Sequence, residues 1–158
     1  MTSNVEAAER ILHDGGLFEF EMERGWTRSI DESGTQVFWQ KGAGSGTLRV
    51  SSITAKKPFD SVELAVADLL ASDTGVQIRS DGVGIAHYRK ASSEGARNTV
   101  MFWWKAVQAL PPKYVRIAYF SFTIFAEEER EPNTQRQIAF LTATLPSLRF
   151  GDLQEFEK

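Results

Sequence analysis

The sequence predicts an α+β domain: an antiparallel sheet of about five to seven strands with helices on its faces, arranged as a helix–sheet–helix sandwich. Three observations predict it. From residue 17 apolar residues alternate with polar ones at a period of two over 18–23, as in a strand with one buried and one wet face, and short turn-forming clusters divide the following residues, to 54, into further strand candidates. Segments 100–104 and 115–125 are apolar on both alternating sets, which a sheet tolerates when both of its faces are covered. The connections between the late strands are too short for parallel crossovers, so these strands pair as antiparallel neighbours, and stretches of helical period bracket them.

Each element follows from its residues. Val5, Ala8, Ile11 and Leu12 recur at helical spacing ahead of Asp14-Gly15-Gly16, so residues 1–16 are expected to form a loosely packed helix. Phe18, Phe20 and Met22 then alternate with Glu19, Glu21 and Glu23. Arg24-Gly25 turns the chain, strands are expected over 26–30 and 35–41 around Asp31-Glu32-Ser33-Gly34, and another over 47–54 follows the glycine run 42–46. Asp60 with Glu63 three residues on is a capping pattern. It opens a helix whose Val62, Val66, Leu69 and Leu70 share one side and which ends near residues 72–75. Strands are expected over 76–79 continuing into 83–90, over 98–109 and over 114–126. Pro132 starts a last helix with Ile138, Leu141 and Leu145 in one stripe, Pro146 ends it, and residues 147–150 run back towards the core before a polar tail, 151–158. The chain, 1–158, reads as one domain.

Composition narrows the function classes. The chain has 158 residues, 42% of them hydrophobic and 25% charged. At this size folding hides roughly 70% of the surface of the unfolded chain, enough for a core without metal or disulfide staples. The absence of cysteine removes disulfides, thiolate nucleophiles and cysteine zinc sites. A net charge of −3, with 18 Lys+Arg scattered along the chain, argues against a nucleic-acid partner. Met1 to Gly16 lacks the basic start and apolar run of a signal peptide, so a cytoplasmic location is expected. The most apolar stretch, 117–126, is half the length of a membrane helix, so no membrane partner is expected.

Phe18-Glu19-Phe20 followed by Gly25-Trp26, Leu48-Arg49-Val50-Ser51 after the glycine run, and Pro146-Ser147-Leu148-Arg149-Phe150 closing the last helix resemble the PsbP-like fold. That fold is shared by the photosystem extrinsic subunit, a Ran-binding nuclear transport factor and several bacterial domains. The proline often found before the Gly-Trp pair is replaced here by Glu23-Arg24. The resemblance covers nearly the whole chain. It implies a scaffold whose members mostly bind other proteins, bacterial look-alikes including chaperones of secreted toxins and immunity proteins against them. It supplies no catalytic residues.

The search for chemistry yields little. His13 and His87 are the two histidines. His87, with Asp81 and Glu94 near it in sequence, is the candidate base of an alternative reading as a small hydrolase or isomerase. No His-x-His or His-x-x-x-His spacing suggests a metal, and the glycine run 42–46 lies between strands where a phosphate loop needs a helix start. Glu19, Glu21 and Glu23 read as a solvated strand face. No catalytic residue, metal or cofactor is assigned. The residues expected to bind a partner are Trp39, Tyr88 and Trp103, together with Glu127, Glu128, Glu129 and Glu131 as an acidic patch for a basic surface. Trp103 and Trp104 must point to opposite sheet faces; one is expected in the core, and the other anchors a partner where its face is open or joins the core where that face is covered. Arg49, Lys90, Lys105 and Arg116 are candidates for outward positions on the same strands, too few for a nucleic-acid stacking platform. The leading expectation is a non-catalytic module that binds one protein, most concretely an immunity protein or chaperone for a bacterial secreted toxin. A third reading is a small-ligand cavity lined by Phe102, Trp104 and Phe120.

Overall fold

In the computed structural model, which describes residues 8–42, 44–93 and 97–151, the predicted sheet is present and seven-stranded, and a second sheet of three strands accompanies it. The elements in chain order are β1 Ala8–His13, β2 Phe18–Glu23, β3 Thr27–Ile30, β4 Gln36–Trp39, β5 Thr47–Lys56, α1 Val62–Leu69, β6 Gln77–Ile78, β7 Gly84–Ser92, β8 Thr99–Leu110, β9 Tyr114–Phe125, α2 Pro132–Thr144 and β10 Arg149–Phe150. The large sheet runs β3-β4-β5-β9-β8-β7-β6 and the small one β1-β2-β10, with every pairing antiparallel.

The expected N-terminal helix is a strand over 8–13, followed by a single 3-10 turn over Asp14–Gly16. Ala8–His13 pairs along its whole length with β2, and Ile11 and His13 are buried. The apolar residues at 8, 11 and 12 suit a helix, but a strand set of 9, 11 and 13 suits the core better once His13 turns inwards. Its Nδ1 lies 2.8 Å from Gln36 Oε1 and its ring stacks on Phe18. Residues 1–7 of that expected helix lie outside the described residues, as do 152–158 of the expected polar tail.

Phe18, Phe20 and Met22 of β2 are buried, as their alternation predicts. They do not extend the large sheet; they stack on it. The Phe120 ring meets Phe18 at 5.6 Å and Phe20 at 5.2 Å, both edge-on. The main core lies between the two sheets and takes in Phe38, Leu48, Val50, Phe102, Trp104, Phe120 and Phe122 from the large sheet and Leu141, Leu145 and Leu148 from α2 and the segment after it. A polar network ties these layers together. Glu23 accepts from Trp26 Nε1, Gln40 Nε2 and Arg136, and Gln40 Oε1 accepts from Gln137 Nε2 at 2.7 Å.

The opposite face of the large sheet carries a smaller core. Here Ala65, Val66 and Leu70 of the α1 region pack on Ala86, Val107, Ala109, Val115 and Ile117. The helix starts one residue later than the capping pattern suggests: Ser61 is the N-cap, accepting from Leu64 N–H, while Glu63 accepts from the Ser61 hydroxyl. Close approach of α1 to β7 depends on Gly84, where a Cβ would come within 2.5 Å of both Leu70 and Val66 side chains. The helix–sheet–helix arrangement is therefore modified: one face is covered by the small sheet with α2, the other by α1 alone. Among the described residues no helix is long and apolar enough to cross a membrane.

Candidate functional site

Length decides how much of the second face α1 can cover. Its eight residues span about 12 Å. β8 and β9, of 12 residues each, run about 40 Å. The helix sits over the end marked by Val107, Ala109, Val115 and Ile117, and among the described residues no element covers the remainder.

The register shows what stands on that remainder. Trp103 lies opposite Tyr88 on β7 and Ser121 on β9, and Ser121 opposite Arg49 on β5. One step along, Met101 lies opposite Thr123, Thr123 opposite Thr47, and Thr47 opposite Trp39 on β4. Trp39, Tyr88 and Trp103 thus share one face, and all three are half-buried. The Tyr88 and Trp103 rings stack with centroids 6.2 Å apart. Between the Trp39 wall and the Trp103 wall run the small Thr47, Thr123 and Ser121, with Arg49 beside them on β5, so the walls of the trough stand three strand spacings apart, about 14 Å. Tyr119 and Met101 continue the apolar surface. The register set 101, 103, 105 on β8 could have identified Met101; its flexible side chain carried no signal of its own in the sequence.

Charges around the trough are largely committed. Lys105 Nζ donates to Leu69 C=O at 2.8 Å and to Asp73 Oδ2 at 3.0 Å, closing the C-terminal end of α1. Burial pushes the Tyr88 phenol up, with the nearby Asp73 charge adding to it and Lys105 opposing, so Tyr88 offers a neutral O–H. Arg49 and Lys90 are exposed on the same face. Arg116 is not there: it is buried on the core side, bonded to Gln108 Oε1 and Gly151 C=O beneath Phe150, and burial lowers its pKa.

The four glutamates do not join the aromatics as an acidic patch. Glu127 pairs with Arg97, whose guanidinium caps the Phe125 ring at the end of the trough. Glu128 accepts from the N–H and hydroxyl of Ser45, holding down the glycine loop. Glu129 forms a two-pronged pair with Arg89 at 2.8 and 2.6 Å, towards the core side, and this pairing holds its carboxyl below the usual range despite partial burial. Glu131 is exposed and precedes α2 as its N-cap residue. Two of the four are ion-paired within the chain and a third is held by Ser45, which sequence order could not reveal because their partners sit on other strands or beyond a turn.

His87 faces the core side, opposite Trp104. Its ring stacks on Trp104 at 4.7 Å, and its Nδ1 donates to the Trp103 C=O at 2.9 Å, an acceptor that fixes the proton on Nδ1. The carboxylate that a general base needs is not supplied by Asp81, which is held by Arg79, and Glu94 lies outside the described residues. The expected cavity lined by Phe102, Trp104 and Phe120 is filled: these side chains are 7%, 2% and 1% exposed and belong to the main core. Among the described residues no group of three or more His, Asp and Glu side chains could hold a metal ion.

No protein-family model matches the chain, and a search of the curated proteins finds no match. Solved structures do resemble it. A protein from Bacteroides thetaiotaomicron is 12% identical with a TM-score of 0.59 over 94% of this chain, which spans 50% of that one. LpqN of Mycobacterium tuberculosis, described as involved in cell envelope biogenesis, is 12% identical with a TM-score of 0.55 over 92% of this chain and 91% of its own. Cyanobacterial PsbP from Synechocystis is 10% identical with a TM-score of 0.42 over 91% of this chain and 92% of its own. The first two likenesses concern the fold, and they agree with the α+β architecture described above.

Proposed function

We propose that this protein is a non-catalytic module that holds one protein partner in the trough between Trp39 and Trp103. The observation that carries the proposal is the joint placement of Trp39, Tyr88 and Trp103 on the part of the sheet that α1 is too short to reach. Tryptophan and tyrosine give large contact area at low entropic cost and dominate binding hot spots. A trough about 14 Å wide accepts a helix, whose diameter with side chains is about 10–12 Å. Recognition then rests on aromatic burial with Arg49 inside the trough and Lys90 at its border, in place of the acidic patch expected from the sequence.

The most concrete version is a cytoplasmic immunity protein or chaperone for a bacterial secreted toxin. Its support is the resemblance carried by the sequence motifs. The test is to recover tagged wild-type protein and the Trp103→Ala variant from the source organism and compare what co-elutes. The proposal expects one stoichiometric protein with the wild type and its loss with the variant. Recovery of nucleic acid instead, or of the same protein with both forms, contradicts it. A toxin encoded beside this gene supports the concrete version, and its absence counts against it.

A further inference from the structure

The two sheets leave a second opening, on the other side of the sheet from the aromatic trough. A cleft of about 470 Å³ lies between β1 and β3, floored by Gln36 and Phe38. Both walls are edge strands, β1 of the small sheet and β3 of the large one. At the tip of the β3–β4 hairpin, Asp31 N–H donates to Thr35 C=O. In the antiparallel alternation this makes Ser29/Val37 and Thr27/Trp39 the hydrogen-bonded pairs, so the N–H and C=O groups of Arg28 and Ile30 point away from β4. On the facing wall Gln36 Nε2 donates to the Leu12 C=O at 3.1 Å, so that carbonyl turns away from β2 and, two residues back, the backbone groups of Arg10 do the same.

Side chains add to this. Ile30 is 69% exposed and Leu12 56%, large apolar residues beside unpaired backbone, where proteins usually place charges, proline or a bulge. Among the described residues Arg10 and Arg28 line the cleft and no carboxylate does. Their own ion pairs are long and exposed, 3.7 Å to Glu19 and 3.6 Å to Glu9, and so contribute little.

We infer that the cleft is a strand-addition site, in which an extended segment of a partner protein pairs with the free edge of β3 and lies against Leu12. Main-chain hydrogen bonds to Arg28 and Ile30 fix its extended form, and alternate side chains meet the walls. Arg28 and Ile30 share one face of β3, as Arg10 and Leu12 share one face of β1, so the chemistry of the walls specifies a segment whose every second residue enters the cleft and whose cleft-facing set holds both acidic residues, for Arg10 and Arg28, and apolar ones, for Leu12 and Ile30. This site shares no residue with the aromatic trough.

The test uses random twelve-residue peptides displayed on phage, selected on the wild-type protein and counter-selected on the Leu12→Asp/Ile30→Asp double variant. Both positions are exposed, so the double variant is expected to melt within a few degrees of the wild type. Enriched peptides should carry acidic and apolar residues together on one alternating set, two residues apart. A synthetic copy should bind the wild type at least about tenfold more tightly than it binds the double variant, and more tightly than a copy N-methylated at alternate backbone nitrogens. It should also slow hydrogen exchange at the Arg28 and Ile30 amides and bind the Trp103→Ala protein unchanged. No enrichment, basic or helical winners, equal binding by the N-methylated copy, protection elsewhere, or loss of binding in Trp103→Ala each overturns the inference.

Discussion

Residues 103 and 104 show how one sequence position decides a role. Period-two geometry places the two indoles on opposite faces, and this was legible from the sequence. Which faced the core was not, because both alternating sets of β8 are apolar; only the small sheet lying over the Trp104 side settles it. Trp104→Ala is therefore expected to cost about 3–5 kcal/mol in urea unfolding, and Trp103→Ala less than about 1 kcal/mol. Glu23 gives a pH signature. Burial alone would raise its pKa, but hydrogen bonds from Arg136, Trp26 and Gln40 and the Arg136 charge outweigh it, so the folded value lies below the usual 4.5. A depressed folded pKa adds stability that is fully present above the unfolded value and lost as pH falls through the folded one. Glu23→Gln should be less stable than wild type at pH 7, and the gap measured by thermal melts should close as the pH drops below about 4.5.

At the scale of elements, the long late strands, both helices and the hairpin around residues 31–34 were readable because their signals are local: apolar alternation, a capping pattern, proline at a helix start. β1 was misread for a physical reason. Ala8, Ile11 and Leu12 match a helical stripe, whereas the strand buries Ile11 and His13 and leaves Leu12 in solvent, and a buried histidine does not register as apolar. A helix would treat Ile11 and Leu12 as near equivalents. The strand predicts that Ile11→Ala costs about 2–4 kcal/mol and Leu12→Ala less than about 0.5 kcal/mol in the same unfolding assay. Equal costs would contradict the strand.

At the scale of the whole molecule, alternation reports that a strand has a buried side but not what lies on it. Phe18, Phe20 and Met22 satisfy their pattern equally by lengthening a sheet or by folding over one, and here they fold over it. That choice, together with the shortness of α1, leaves the large sheet unevenly covered. The partner residues expected among the aromatics come together on the uncovered part, while the glutamates are consumed by Arg97, Ser45 and Arg89, long-range pairings with no local signature. The seven-stranded sheet is thus the scaffold, its small-sheet side the core, and its other side the candidate surface.

That asymmetry is most directly tested by hydroxyl-radical footprinting of the free protein, with oxidation located by mass spectrometry. The account predicts oxidation at Trp39, Tyr88, Met101 and Trp103, with Trp104 and Met22, 2% and 0% exposed, protected. Protection of Trp103 equal to that of Trp104 would mean that the trough is covered, and the account would fail.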